Sequence, residues 1–400
     1  MKRNLQGNLW KYALLLITNK RIFVAILGAY YLTVPGVTPA VIGMILLAGS
    51  LSGFLFEIPS GYVSDKIGHK EAIIISQTLE LLSTIFYLIG GNIIFLILGS
   101  VFLSASAAFL SGTGSAFMHE TLRALGREHE YAKVMGKISS IGFAVPVIFM
   151  VTAPFLVGIS YKIPFLISLV IDIIGVWAAI VLVAPPVQQE HIEEIQSTNF
   201  KQVLKEGYRL NYFSVALFSA IISGTLFTVG GFRAPYQLFL EIPVIWYGVF
   251  FGVGRIFASL MLAYSGKIKR LFTLPTFYGS QAVVYALMFF ILGTISIWWV
   301  VVLVFIIMNA FQFGLSKIDE GYQLDVIRSS KFKATLLSTG SQIDQIVSAV
   351  SGIGVGLLIN SLSYQRGFLC LAIIFLALLV PMFIYTSRRY RSGAYNHAAT

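Results

Sequence analysis

Apolar runs of about 20 residues recur along the whole chain, separated by short polar gaps, and each is long enough to cross the ~30 Å hydrocarbon core of a bilayer as a helix. A chain that is 57% hydrophobic and 11% charged, with a mean hydropathy of +0.84, is not a water-soluble globule, whose charged share is about a quarter. The 400 residues accommodate about twelve spans and leave no extended region for a soluble domain. The expected fold is therefore an all-α polytopic membrane protein. No cleavable signal is evident, because the apolar stretch after Lys11 runs only about seven residues before Asn19, Lys20 and Arg21. Cys370 is the single cysteine, so no intramolecular disulfide forms.

The net charge of +11 raises the question of nucleic acid, and the placement of the basic residues answers it. Spans read at roughly 12–33, 38–62, 72–90, 93–118, 134–158, 163–184, 211–233, 242–264, 272–292, 296–317, 335–360 and 366–386 leave alternate connections with opposite character. About 22 of the 28 Lys and Arg fall on one side, from Lys2, Arg3 and Lys11 through Lys66, Lys70 and Arg123 to Arg388, Arg389 and Arg391. Only Lys162, Arg233 and Arg366 fall on the other. The positive-inside rule then puts the basic loops and both termini in the cytoplasm and makes the bilayer, not a nucleic acid, the partner.

The longest polar stretch, Pro185 to Arg209, divides the chain into an N-terminal six-helix bundle (1–184), a cytoplasmic linker (185–210), a C-terminal six-helix bundle (211–386) and a cytoplasmic tail (387–400). Within the linker, Ile192, Ile195, Phe200, Val203 and Leu204 recur at near-helical spacing. A solvated linker and an amphipathic helix on the inner face both fit.

Between the second and third spans lies GYVSDKIGHK, Gly61 to Lys70. Gly61 and Gly68 supply backbone freedom for a reversal between helix ends, and Asp65 and Lys66 place opposite charges beside those ends. The stretch resembles the G-x-x-x-D-R/K-x-G-R/H-R/K loop of the major facilitator superfamily and matches every fixed position of it. FEIPSGYVSDKIGHK from Phe56, MHETLRALGREHEYAKVMGK from Met118 and KATLLS from Lys333 are similar to stretches of its bacterial drug-efflux-like members. The resemblance implies twelve helices in two pseudo-symmetric six-helix bundles that rock about a midplane site. It also implies a cytoplasmic gating turn of Gly61, Asp65, Lys66, Gly68, His69 and Lys70, held by Glu120 through Lys66 or Lys70. The equivalent turn of the second half, Tyr264 to Arg270, keeps its basic residues but has no aspartate. Two departures stand out. The arginine that many proton-coupled members carry four residues before a span-four glycine is Ala108 here, and the G-P-x-x-G-G segment of antiporters is reduced to Gly142 and Pro146.

Each ionisable residue at mid-span costs roughly 2.5 to 3.5 kcal/mol and is a functional candidate by default. Lys20 and Arg21 come about 14 Å into span one if Trp10 marks the interface, which makes the pair the leading ligand site. If the span instead begins near Ile22, both snorkel to lipid phosphates. Glu57, two turns before Asp65, either carries a proton or pairs with the charged turn. Glu80, Asp172, Arg255 and Asp344 must find partners or face water. Asn309 and Gln312 share a face of span ten, Gln281 sits in span nine, and Gln342 and Gln345 flank Asp344, so these polar groups either line a cavity or join helices. Glycines at 28, 36, 43, 49 and 53 and in Ser351 to Gly356 allow close helix approach.

The functional expectation is a monomeric secondary active transporter of a small-molecule substrate. It uses no cofactor, metal or ATP and draws on an ion gradient, most simply protons. Resemblance points to efflux of amphipathic molecules across a bacterial inner membrane. Import of an anionic metabolite through Lys20, Arg21 and Arg255 is the first alternative, and a non-transporting membrane sensor is a remote one. Neither H-E-x-x-H nor G-x-S-x-G lies on a span, and the histidines, His119 and His129 among them, fall in loops or the tail, so an enzyme is not expected.

Overall fold

The computed structural model describes residues 5–186, 200–327, 330 and 332–392. Eleven helices among the described residues are long and apolar enough to cross a membrane. Helix is what such runs must form, because in hydrocarbon every backbone amide has to be satisfied within its own segment.

The exception is the first run. The stretch expected to cross at 12–33 instead forms helix α1 (Asn8–Thr18), an irregular segment and a short α2 (Leu27–Tyr31). Asn19 and Arg21 turn their side chains inward to carboxylates, and the backbone leaves the helical path between them and Ile26. Irregular backbone at membrane depth is tolerated where protein encloses it. Here Ile22, Phe23, Ala25 and Ile26 are all buried.

After the break follow α3 (Pro39–Ile67), α4 (His69–Ile89), α5 (Ile93–Leu110), α6 (Thr113–Ala124), α7 (Tyr131–Thr152) and α8 (Lys162–Ile180). Then come α9 (Phe200–Arg209), α10 (Tyr212–Phe239), α11 (Tyr247–Ala263), α12 (Ser265–Lys269), α13 (Leu274–Thr294), α14 (Trp298–Gly314), α15 (Ser316–Val326), α16 (Lys333–Ser361) and α17 (Tyr364–Arg391). Local chemistry fixes several ends. Asn92 caps α5 by accepting from Ile94 N at 2.9 Å, Thr273 and Thr276 form a capping box on α13, and Ser363 accepts from Arg366 N at 3.2 Å to open α17.

The chain divides into two compact units. The first comprises residues 1–36, 48–197 and 244–249, and the second comprises 37–47, 198–243 and 250–400. In the first, α4 packs along α5 and α8, α1 packs on α7 and α8, and Tyr12, Leu15, Ile73, Phe117, Met118 and Ala179 share the core. In the second, α10 packs along α16 and α13 along α17.

Three expectations are corrected. The gap between the second and third runs is a single residue, since α3 continues to Ile67 and α4 begins at His69. Gly68 makes the reversal at φ +112°, a conformation that favours glycine. Gly61 lies inside α3, and a side chain there would meet nothing within 4 Å, so neither a turn nor a close contact requires it. Arg233, expected in a connection, is buried in α10, which runs on to Phe239. Of the linker residues, Ile192 and Ile195 lie outside the described residues, while Phe200, Val203 and Leu204 fall in α9, with Val203 fully buried. The last eight residues of the tail also lie outside them.

Candidate functional site

The first unit carries a charged cluster at mid-membrane depth. Glu80 comes 11 residues into α4 and Asp172 10 residues into α8, about 15 Å from the start of each helix. The break in the first run delivers Arg21 between them: Nη2 lies 2.8 Å from Glu80 Oε1 and Nη1 lies 2.8 Å from Asp172 Oδ1. Nη1 also donates to Thr84 Oγ1 at 3.1 Å, and Nη2 to Glu80 O at 3.2 Å. Asn19 and Gln77 donate to the second Glu80 oxygen at 2.5 and 3.0 Å. All three charged residues are buried. With one cation and two anions, the formal charge is −1 when both acids are ionised. Arg21 is therefore buried and paired with two acids rather than directed to lipid phosphates, which overturns the snorkelling alternative for it. Lys20 is half-buried in the break.

The second unit holds two carboxylates on helices long and apolar enough to cross a membrane. Asp319 accepts from Tyr278 Oη at 2.7 Å, Ser219 Oγ at 2.9 Å and Gln323 Nε2 at 3.0 Å. Asp344 accepts from Ser223 Oγ. Ser219 and Ser223 are one turn apart on α10, so two hydroxyls stand between the two acids. No ion pair to either aspartate occurs among the described residues. A cavity of ≈ 90 Å³ lies against Asp319, Ser219, Ser223, Tyr278, Gln281 and Gln312.

The same unit brings Arg255 of α11 together with Arg233 of α10 over the ring of Phe251. Asn309 of α14 is buried beside Gly254: a Cβ on that glycine would lie 3.0 Å from Asn309 Oδ1. Gln312 lines the cavity and Asn309 does not. Gln342 and Gln345 are half-buried on α16 with Asp344. Glu57 is half-buried on α3.

The expected gating turn is only partly assembled as anticipated. Glu120 meets His69, Oε1 to Nε2 at 3.3 Å, rather than Lys66 or Lys70. His69 Nδ1 shares a 2.7 Å hydrogen bond with Ser64, which accepts from Thr113 at 3.0 Å. Asp65 and Lys66 are exposed, and Lys66 lies 5.8 Å from the centre of the Tyr62 ring. Lys70 is half-buried at the start of α4. The aspartate missing from the second turn comes from another element: Asp325 of α15 meets Lys269 at 2.7 Å. In the loop after α6, hydrogen bonds from Arg123 and Arg127 hold Glu128 and Glu130 below the usual carboxylate range. These exposed acids stay ionised at neutral pH and are poor proton carriers.

Sequence reasoning missed Asp319, Arg233 and Gln237. Lys317 and Glu320 made the segment after Gly314 read as a loop, although Tyr322 and Val326 continue an apolar face at helical spacing. The apolar run before Arg233 likewise continues through Ala234, Pro235 and Tyr236.

A family model described as the Major Facilitator Superfamily matches residues 10–317. An uncharacterized MFS-type transporter, YxaM of Bacillus subtilis (strain 168), is 22% identical over 365 residues, covering 86% of each chain. The nucleoside transporter NupG superposes with a TM-score of 0.74 at 14% identity, over 95% of this chain and 99% of that one. A POT family transporter in complex with 5-aminolevulinic acid gives 0.70 at 14% identity over 96% of each. A bacterial homolog of the human lysosomal transporter Spinster, inward-facing and unoccupied, also gives 0.70 at 14%, over 98% and 97%. At such identity the solved structures testify to fold.

Proposed function

Since the chain belongs to the Major Facilitator Superfamily, and so to a family of transporters, we propose that it is a proton-coupled secondary active transporter that exports amphipathic small molecules. It works by alternating access. The observation that carries the coupling is Asp319: a carboxylate within a membrane-spanning segment, beside a cavity, hydrogen-bonded by three neutral donors. With no ion pair to a cation among the described residues, such a group binds and releases a proton as its access to water changes. Ser219 and Ser223 supply hydroxyls towards Asp344, a second acceptor of the same kind. The Arg21 cluster serves the other purpose, holding the broken first run against α4 and α8.

Export is supported by the likeness of the Phe56, Met118 and Lys333 stretches to drug-efflux-like members. The basic loops support both termini in the cytoplasm, and the resemblance to the drug-efflux-like members alone supports a bacterial inner membrane. Import of an anionic metabolite loses its Arg21 leg, because Arg21 is committed to two acids, and keeps Lys20 and Arg255.

Dye accumulation in everted vesicles energised by respiration tests the reading. Wild type accumulates dye and loses it on addition of a protonophore, while Asp319→Asn lowers energised accumulation at least about tenfold. Accumulation that ignores both the protonophore and Asp319→Asn contradicts proton coupling.

A further inference from the structure

A cavity of ≈ 360 Å³ lies in the second unit where α9, the start of α10 and the last turns of α17 meet. Phe213, Leu217 and Met382 give it apolar walls, and Tyr208, Tyr385 and Asn211 give it a polar edge. Local sequence builds this groove. Val203 is fully buried and anchors α9, and a Cβ on Gly207 would lie 2.6 Å from the Phe213 ring, so the glycine lets α9 lie close against α10. Asn211 turns the chain between the two helices at φ +55°, a left-handed conformation that asparagine tolerates. Tyr208 then stands edge-on to Phe213, with ring centres 5.0 Å apart.

Depth and charge together say what the groove meets. Leu217 comes five residues into α10 and Tyr385 six residues before the end of α17, so both lie within about 10 Å of where two membrane-crossing helices reach the same surface. Headgroups and the first carbons of acyl chains occupy that level, where tyrosine is enriched. Leu217, Tyr208 and Tyr385 are all exposed. The rim is basic. Arg389 Nε donates to Tyr385 Oη at 3.3 Å, and the guanidinium carbon lies 5.5 Å from the centre of that ring. Met382, Tyr385 and Arg389 follow one stripe of α17, and Lys205 shares a face of α9 with Tyr208, three residues on. Lys205 and Arg389 are exposed, and neither has an ion pair among the described residues, since the one acid of α9, Glu206, meets Arg209 at 2.6 Å. Arg388 and Arg391 add charge in the last turn of α17, which holds no acid. An apolar slot at headgroup depth with cations on its rim complements a phosphate diester carried on an acyl chain.

We propose that this groove binds an anionic phospholipid from the leaflet at the basic ends of the helices. Its phosphate lies between Arg389 and Lys205 beside the Asn211 amide, and one acyl chain lies against Phe213, Leu217 and Met382. The site goes beyond the transport reading and holds whatever the solute, its direction, or the coupling through Asp319.

Binding to the purified full-length protein in detergent tests it, with phosphatidylglycerol as the probe and phosphatidylcholine of the same acyl chains as the control. Native mass spectrometry counts the lipid retained, and thermal unfolding reads its effect. Phosphatidylglycerol is retained and raises the unfolding temperature, whereas phosphatidylcholine does neither. The double variant Lys205→Gln, Arg389→Gln weakens phosphatidylglycerol affinity at least about tenfold. Leu217→Trp, which narrows the slot, weakens it as well, and Lys267→Gln, a basic residue that does not line the cavity, leaves it unchanged. Equal retention of the two lipids, unchanged affinity in the double variant or in Leu217→Trp, or an equal loss in Lys267→Gln overturns the proposal. Displacement of the lipid by water-soluble glycerol phosphate at equal concentration also overturns it, because the groove then recognises a phosphate alone.

Discussion

Removing the Arg21 guanidinium leaves Glu80 and Asp172 facing each other in the interior with no cation between them. A buried ion pair broken from one side costs about 3–5 kcal/mol. Arg21→Gln is therefore expected to lower the unfolding temperature sharply. The triple variant Arg21→Gln, Glu80→Gln, Asp172→Asn removes all three charges and is expected to recover much of that loss. Thermal unfolding in detergent checks both, and a triple variant no more stable than the single one contradicts a structural role. Arg21, Glu80 and Asp172 were each legible in the sequence as mid-span charges. Their pairing was not, because 59 residues separate Arg21 from Glu80 and 151 separate it from Asp172. Asp319 escaped notice for a different reason: its helix exposes Lys317 and Glu320, which pair with each other on the opposite side.

Elements meet where glycine lets them. Gly43 of α3 and Gly352 and Gly356 of α16 bring the two backbones together. A Cβ on Gly43 would lie 2.6 Å from Gly352 O, and one on Gly356 would lie 2.7 Å from Pro39 O. Because backbone cannot yield as a side chain can, Gly356→Val is expected to cost about 1–3 kcal/mol, read as a lower unfolding temperature, whereas Gly354→Ala, which meets nothing within 4 Å, leaves it unchanged. At the one-residue reversal between α3 and α4, Gly68→Ala must adopt φ +112° and is expected to destabilise by about 1–3 kcal/mol. Helix existence was legible because hydrophobic runs of this length have one solution in a bilayer. Helix ends were not: α3, α10 and the α14–α15 pair all run past the charges that seemed to mark a loop, since Lys66, Arg233 and Lys317 are accommodated within helices. The broken first run was hidden for the same reason, its charge pair being visible and its effect on the backbone depending on acids in distant helices.

For the whole molecule, the family was legible in the turn motif, and the distribution of lysine and arginine carries the proposal that the basic loops face the cytoplasm. What the protein moves was not displayed. The proposed coupling rests on Asp319 meeting Ser219 and Tyr278, contacts between residues far apart in the chain. The central claim is that this transporter moves protons with its solute through Asp319. Its most direct test uses proteoliposomes of the purified chain loaded with a pH-sensitive dye. A dye-substrate gradient is imposed and the internal pH followed for wild type and Asp319→Asn. The account predicts that solute movement drives a pH change in wild type, and that Asp319→Asn abolishes the change while solute still equilibrates. Solute movement without any pH change in wild type, or an unaltered pH change in Asp319→Asn, would contradict it.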